Sequence, residues 1–182
     1  CIRDSVGSEL KGRTVAIEGF GSVGQACCCA LVSKGARVVA VSDIDGAIYE
    51  PAGLDLERLV VIDAVTGKPR KLWNRDYPGG RRIQGQQLFE LPVDVVVPGA
   101  RPDVITTANA PQVKAWMVVE AANIPVSCEA ERILAERGTL VVPDFIANAG
   151  GVITCSVELR RGTVEESFTL AGRLIRENTR SM

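Results

Sequence analysis

Three glycines at the spacing G-x-G-x-x-G are the residues whose type and position most clearly suggest chemistry. They punctuate Gly19-Phe20-Gly21-Ser22-Val23-Gly24, between an apolar run, Thr14–Glu18, and a helical pattern. In a strand-to-helix turn, the first glycine permits the sharp bend. The second lets a pyrophosphate approach the backbone, and the third lets helix and strand pack closely. The free N–H groups and positive potential of the helix N-terminus complete an anion site. The spacing alone is weak and would also suit a tight turn that binds nothing. The flanking strand and helix, and an acid at the end of the next strand, give it its meaning. That acid is Asp43, followed by Ile44. It can accept hydrogen bonds from the hydroxyls of an adenosine ribose, or simply open the turn towards Asp45-Gly46.

Two later segments place amides at strand ends. Glu120-Ala-Ala-Asn123-Ile-Pro125 and Pro143-Asp-Phe-Ile-Ala-Asn148-Ala-Gly150-Gly151-Val152 each follow a buried apolar run. Ligands of open α/β sheets collect at the carboxyl ends of strands. An amide there offers both donor and acceptor to a ribose or a carboxamide, and it can equally brace a loop.

Other chemistries find no support. The chain has no histidine, so Ser42 and Ser156 lack the usual activating base. Cys27, Cys28 and Cys29 are consecutive and read as small filler on a helix, with no spaced partner set for a metal. The six cysteines lack the regular spacing of a secreted framework and read as reduced thiols of a cytoplasmic protein. A net charge of −1 and 4% aromatic residues argue against nucleic acid. No apolar run suffices to span a membrane.

The elements that must position these groups alternate. A strand at 14–18 precedes a helix whose apolar stripe is Val23, Ala26, Cys27, Ala30 and Leu31, stopped by Gly35; a strand at 37–41 then ends at Ser42-Asp43. Asp55 can cap a helix to about residue 64, and 66–84 reads as a solvated excursion or small hairpin. Strands follow at 93–97, 117–121 and 140–142. A helix at 127–137 is stopped by Gly138, another starts near Asn148, and a last covers about 165–178. The expected fold is α/β, a doubly wound, mostly parallel sheet forming a Rossmann-like dinucleotide-binding domain over 1–182. Beginning at Cys1 and ending in an amphipathic pattern, the chain reads as an excised domain.

Gly19–Gly24, Pro98-Gly99-Ala100, EAANIP and PDFIANAGGV, in this order, resemble the glutamate/leucine/phenylalanine/valine dehydrogenase family from about Leu10 onward. The resemblance implies an NAD cofactor, an amino-acid or 2-oxo-acid substrate, and a homo-oligomeric parent enzyme. It also implies an N-terminal domain, absent here, that supplies a lysine and an aspartate for the amine chemistry; no catalytic residue is expected in this chain. Asn123 would contact the nicotinamide ribose, Asn148 would lie beside the nicotinamide and substrate, and the backbone at Ala100 would line the cofactor cleft. Gly151, Val152 and Cys155 would face the substrate side chain, although Cys155 could also pack in the domain core. Cys155 stands where glutamate-specific members usually carry serine. Glutamate is the first choice of substrate, a branched or aromatic amino acid the second. A non-catalytic NAD-sensing module is the rival from another class.

Overall fold

The computed structural model describes residues 9–62, 69–71, 77 and 79–182. Nine strands, β1 (Thr14–Glu18), β2 (Arg37–Asp43), β3 (Gly46–Tyr49), β4 (Val60–Ile62), β5 (Pro69–Lys71), β6 (Arg81–Ile83), β7 (Val95–Pro98), β8 (Met117–Val119) and β9 (Leu140–Val142), are found among them. The main sheet runs β6-β3-β2-β1-β7-β8-β9. From β2 to β9 all neighbours are parallel, while β3 and β6 add an antiparallel edge. The mostly parallel α/β sheet expected from the sequence is therefore present.

Continuous apolar strands suit this centre because both faces are covered. Val15 and Ile17 face one core with Val38, Val95 and Met117, where helix α1 (Ser22–Ser33) contributes Cys28. Ala16 faces the other, with Val96, Val118, Leu88 and Phe89, where α3 (Cys128–Glu136) contributes Ala130 and Leu134. Burying each large side chain contributes about 1.5–3 kcal/mol. The Ser127 hydroxyl caps α3 by accepting from Ala130 N. After β1 the chain crosses to β2; after the edge strands it returns to β7 on the other side of β1. The strand order thus reverses between β1 and β7, where a crevice opens at the carboxyl ends of the strands.

Several boundaries differ from the sequence reading. The stripe on α1 is rotated by about 100°, one residue. Gly24, Gln25 and Cys28 are buried, Cys27 and Leu31 are half-buried, and Ala26, Cys29 and Ala30 face outward beside Val23. The reading of all three cysteines as filler therefore fails for Cys29. The cause is Gly24: its bare Cα fits against the Gly19 carbonyl, a contact that fixes the rotation. Small apolar residues on both faces hid this. The helix expected from Asp55 ends early, as α2 (Leu56–Leu59), because β-branched Val60-Val61-Ile62 favour extension and pair with β5. Residues 63–68, 72–76 and 78, in the remainder of that helix and in the excursion, lie outside the described residues. The described end of the excursion, β6, joins the main sheet. Asp43 and Gly46 pair across a two-residue turn, making β3 an unanticipated strand. A 3-10 turn at Gly85–Glu90 was also not anticipated.

The C-terminal part is helical: α4 (Asp144–Ala147), α5 (Gly150–Leu159) and α6 (Val164–Arg180), the last opened by a Thr163/Glu166 capping box. Among the described residues no helix is long and apolar enough to cross a membrane.

Candidate functional site

The glycine turn follows β1 directly. Gly19 sits at φ +89°, and a Cβ there would lie 2.8 Å from Ala100 Cβ and 2.9 Å from Ala100 N. At Gly24 a Cβ would lie 1.9 Å from the Gly19 carbonyl oxygen. Both glycines are thus required by contacts within the chain. Gly21 is different, since a Cβ there would meet nothing within 4 Å among the described residues. The space beside it opens at the N-terminus of α1, which has neither a side-chain cap nor an acidic residue in its first turn. Free N–H groups, positive potential and room above a bare Cα suit a pyrophosphate.

A cleft of about 610 Å³ runs from this turn along the strand ends, lined at one end by Asp43, Ile44 and Gln86 and at the other by Glu18, Ala100 and Arg101. Asp43 Oδ1 accepts from Asp45 N at 3.0 Å, so the turn-opening alternative is realised, and the residue also forms the cleft wall. Ile44 is 92% exposed. Phe20 is buried, and its carbonyl accepts from Gln25 Nε2. Ser22 and Val23 lie on the exposed first turn of α1, outside the cleft lining.

Glu18 was not singled out in the sequence. Its Oε2 accepts from Gly99 N at 3.1 Å and Ala100 N at 2.9 Å, tying the ends of β1 and β7 across the switch point. Burial raises its pKa, against the pull of those two N–H groups and of Arg101. A charged residue ending an otherwise apolar strand immediately before the glycines was the available signal.

Further along the same edge, β8 and β9 bring the two asparagines together. Asn148 Nδ2 donates to Asn123 Oδ1 at 2.8 Å. The loops are pinned beneath them: Asp144 N donates to Glu120 Oε2 at 2.9 Å, and Ile124 N, at φ +46°, donates to Asp144 Oδ2 at 2.7 Å. Glu120 is almost wholly buried, and its Oε1 has no hydrogen-bond partner among the described residues. Burial, with Glu131 and Asp144 adding to it, pushes its pKa up to about 7 against the Asp144 N–H. This buried acid was likewise not singled out, although it opens the EAAN segment. Asn123 and Asn148 do not line the main cleft. They lie beyond its Ala100 end, and β2 to β8 spans three strand spacings, about 14 Å.

Gly151, Val152 and Cys155 are exposed on α5, and Val152 is 76% exposed. Cys155 therefore does not pack in the core of this domain.

Residues 1–172 match the family model for glutamate/leucine/phenylalanine/valine dehydrogenase. The chain is 41% identical to a glutamate dehydrogenase of Aeropyrum pernix over 179 residues, covering 95% of this chain and 42% of the relative. It is 37% identical over 149 residues to an NADP-specific glutamate dehydrogenase of Saccharolobus shibatae, covering 82% and 34%. A solved structure, the hetero-hexameric glutamate dehydrogenase of Thermus thermophilus in a leucine-bound form, superposes with a TM-score of 0.76 at 30% identity, over 96% of this chain and 42% of that one. The chain thus spans less than half the length of each of these proteins, and it belongs to the glutamate/leucine/phenylalanine/valine dehydrogenase family.

Proposed function

We propose that this chain is the NAD-binding domain of an amino-acid dehydrogenase that oxidatively deaminates an L-amino acid, glutamate first, to a 2-oxo acid and ammonia. The observation that carries the reading is Gly21, whose missing side chain serves no contact among the described residues but leaves space at an uncapped helix N-terminus. Bound nicotinamide would supply the acceptor for the hydride from the substrate α-carbon. The chain's own residues bind and orient. The N–H groups of Gly21, Ser22 and Val23 face the pyrophosphate, and Asp43 accepts from the adenosine ribose. Asn123 and Asn148, held to each other, hold the nicotinamide ribose and ring. The exposed face of α5 at Gly151, Val152 and Cys155 forms one wall of the substrate pocket and excludes water when the catalytic domain closes on it. That domain, N-terminal to this one in the parent enzyme, supplies the acid–base groups; the histidine-free sequence favours this division.

NAD is preferred over NADP in this reading. Asp43 puts a carboxylate where a 2′-phosphate would sit, at a cost of about 1–3 kcal/mol, ten- to hundredfold in affinity. The described cysteines are free thiols, which supports a cytoplasmic enzyme. The Thermus relative is a hetero-hexamer, which supports an oligomeric parent without favouring identical subunits. A branched apolar amino acid is the second substrate choice, since the exposed Cys155 thiol is a weak donor to a distal carboxylate.

Fluorescence titration of this chain with NADH should show binding, and assays with glutamate, leucine and phenylalanine should show no turnover. Steady-state activity from the chain alone would overturn the division of labour. Asp43→Ser should narrow the gap between NAD and NADP; an unchanged gap removes Asp43 from the ribose site.

A further inference from the structure

Proposed contacts along the cleft leave its adenosine end incomplete. Asp43 is acceptor-only and Ile44 offers an apolar surface, yet a purine also presents ring-nitrogen acceptors that need a donor. The wall facing them is the 3-10 turn Gly85–Glu90, and Gln86 on it lines the cleft. This turn is a rigid support. Leu88 and Phe89 are buried in the core, and Gln84 and Gln87 cap it reciprocally, with Gln84 N donating to Gln87 Oε1 at 3.0 Å.

The orientation of the Gln86 amide follows from its neighbours. Asn109 Oδ1 accepts from Thr106 N at 2.7 Å, while its Nδ2 donates to Val104 O at 2.8 Å and to Gln86 Oε1 at 3.1 Å. Every hydrogen of the Asn109 amide is thereby used, so this amide cannot turn over without losing bonds. Gln86 must present its oxygen to Asn109, which leaves both hydrogens of Nε2 without an acceptor among the described residues. The fold uses one end of the side chain and leaves the other, a donor, beside the cleft.

We propose that Gln86 is the donor that reads the adenosine end of the dinucleotide, with Asn109 as the positioning residue that fixes its amide. The proposal rests on the dinucleotide reading of the cleft. The ligand class is an adenine nucleotide, and a phosphate alone would not engage Gln86.

Competition against NADH fluorescence on this chain, with ADP and with inorganic pyrophosphate, tests it. Gln86→Met removes the donor at nearly constant size. Gln86→Glu retains an acceptor for Asn109 and removes the donor, so the tie to Asn109 survives. Both variants should weaken NADH and ADP by about three- to tenfold relative to pyrophosphate, with unchanged thermal melting. ADP and pyrophosphate weakening equally would make Gln86 a support of cleft shape and overturn the proposal. Loss in Gln86→Met but not in Gln86→Glu would assign the effect to the Asn109 tie and overturn it as well. Unchanged affinities in both variants, with NADH still binding, would overturn the Gln86 assignment and leave the cofactor reading standing. If the unmodified chain bound neither NADH nor ADP, the cofactor reading itself would fall, and this proposal with it.

Discussion

At the amino ends of the central strands Asp94 accepts from Thr14 N, the Thr14 hydroxyl and Arg13, each at 2.8 Å, and from Trp116 Nε1 at 3.3 Å. At the carboxyl ends of the same strands, Glu120 leaves one buried oxygen without a partner among the described residues, and Glu18 shares a single oxygen between two N–H groups. The electrostatic outcome is opposite. Burial opposes the charge on Asp94, but its four hydrogen bonds outweigh it and hold the pKa at about 2. Burial prevails at Glu18 and Glu120, and both are raised. One end of the sheet satisfies its polar groups within the chain. The other keeps groups and space that internal contacts do not consume, as expected where an α/β sheet receives a ligand.

The largest expected effect lies within the carboxyl end. Gly24→Ala should destabilise the domain by more than about 3 kcal/mol in urea unfolding, because its Cβ must displace the Gly19 backbone. A change below about 1 kcal/mol would mean that the glycine turn is not held by this contact.

Asp94→Ala should cost about 2–4 kcal/mol at neutral pH, since it strands several buried or half-buried donors. The pH dependence has a definite sign. Asp94 is held below its ordinary value of 3.8, so its contribution is complete above that value and fades as the pH falls through about 2. Asp94→Asn and the unmodified chain should converge at that acid end. Equal stability at neutral pH would dissolve the contrast between the two edges.

Glu120→Gln should act in the other direction. A raised carboxyl gives stability that is complete below the ordinary 4.5 and lost as the pH rises through about 7. The neutral amide escapes that loss, so the variant should be more stable by on the order of 2 kcal/mol at about pH 8 and indistinguishable at about pH 4. Melting curves at the two pH values check this; a variant less stable at both would show Glu120 to be ionised and paired.

The smallest change in stability is expected at Gly21. Gly21→Ala should cost less than about 1 kcal/mol in folding, yet weaken NADH by tenfold or more, about 1.4 kcal/mol. Weakened folding with intact NADH binding would make Gly21 a structural glycine and remove the main support for the cofactor reading.

The parallel strands, the glycine turn and the stop at Gly138 were legible because each is a local matter. A run of β-branched residues and a positive φ act over a few neighbouring residues. Less was legible where short-range signals agreed with two outcomes. Both faces of α1 are small and apolar, so periodicity could not choose between Val23 and Gly24 as the buried position. Asp55 can cap a long helix or a short one, and pairing with β5 selected the short one.

The sequence by itself determined the candidate groups for a dinucleotide, since the G-x-G-x-x-G spacing, Asp43 and the two asparagine segments are set by residue type. Tertiary structure alone decided how they are arranged. It brought Asn148 to Asn123, buried Glu18 and Glu120 at the strand ends, and folded the Gln86 turn back to face Asp43. Partners such as Asn148 and Asn123, or Glu18 and Ala100, lie far apart along the chain and meet through sheet order. No short window of sequence encodes that order, because strand pairing and burial are energies of the whole sheet.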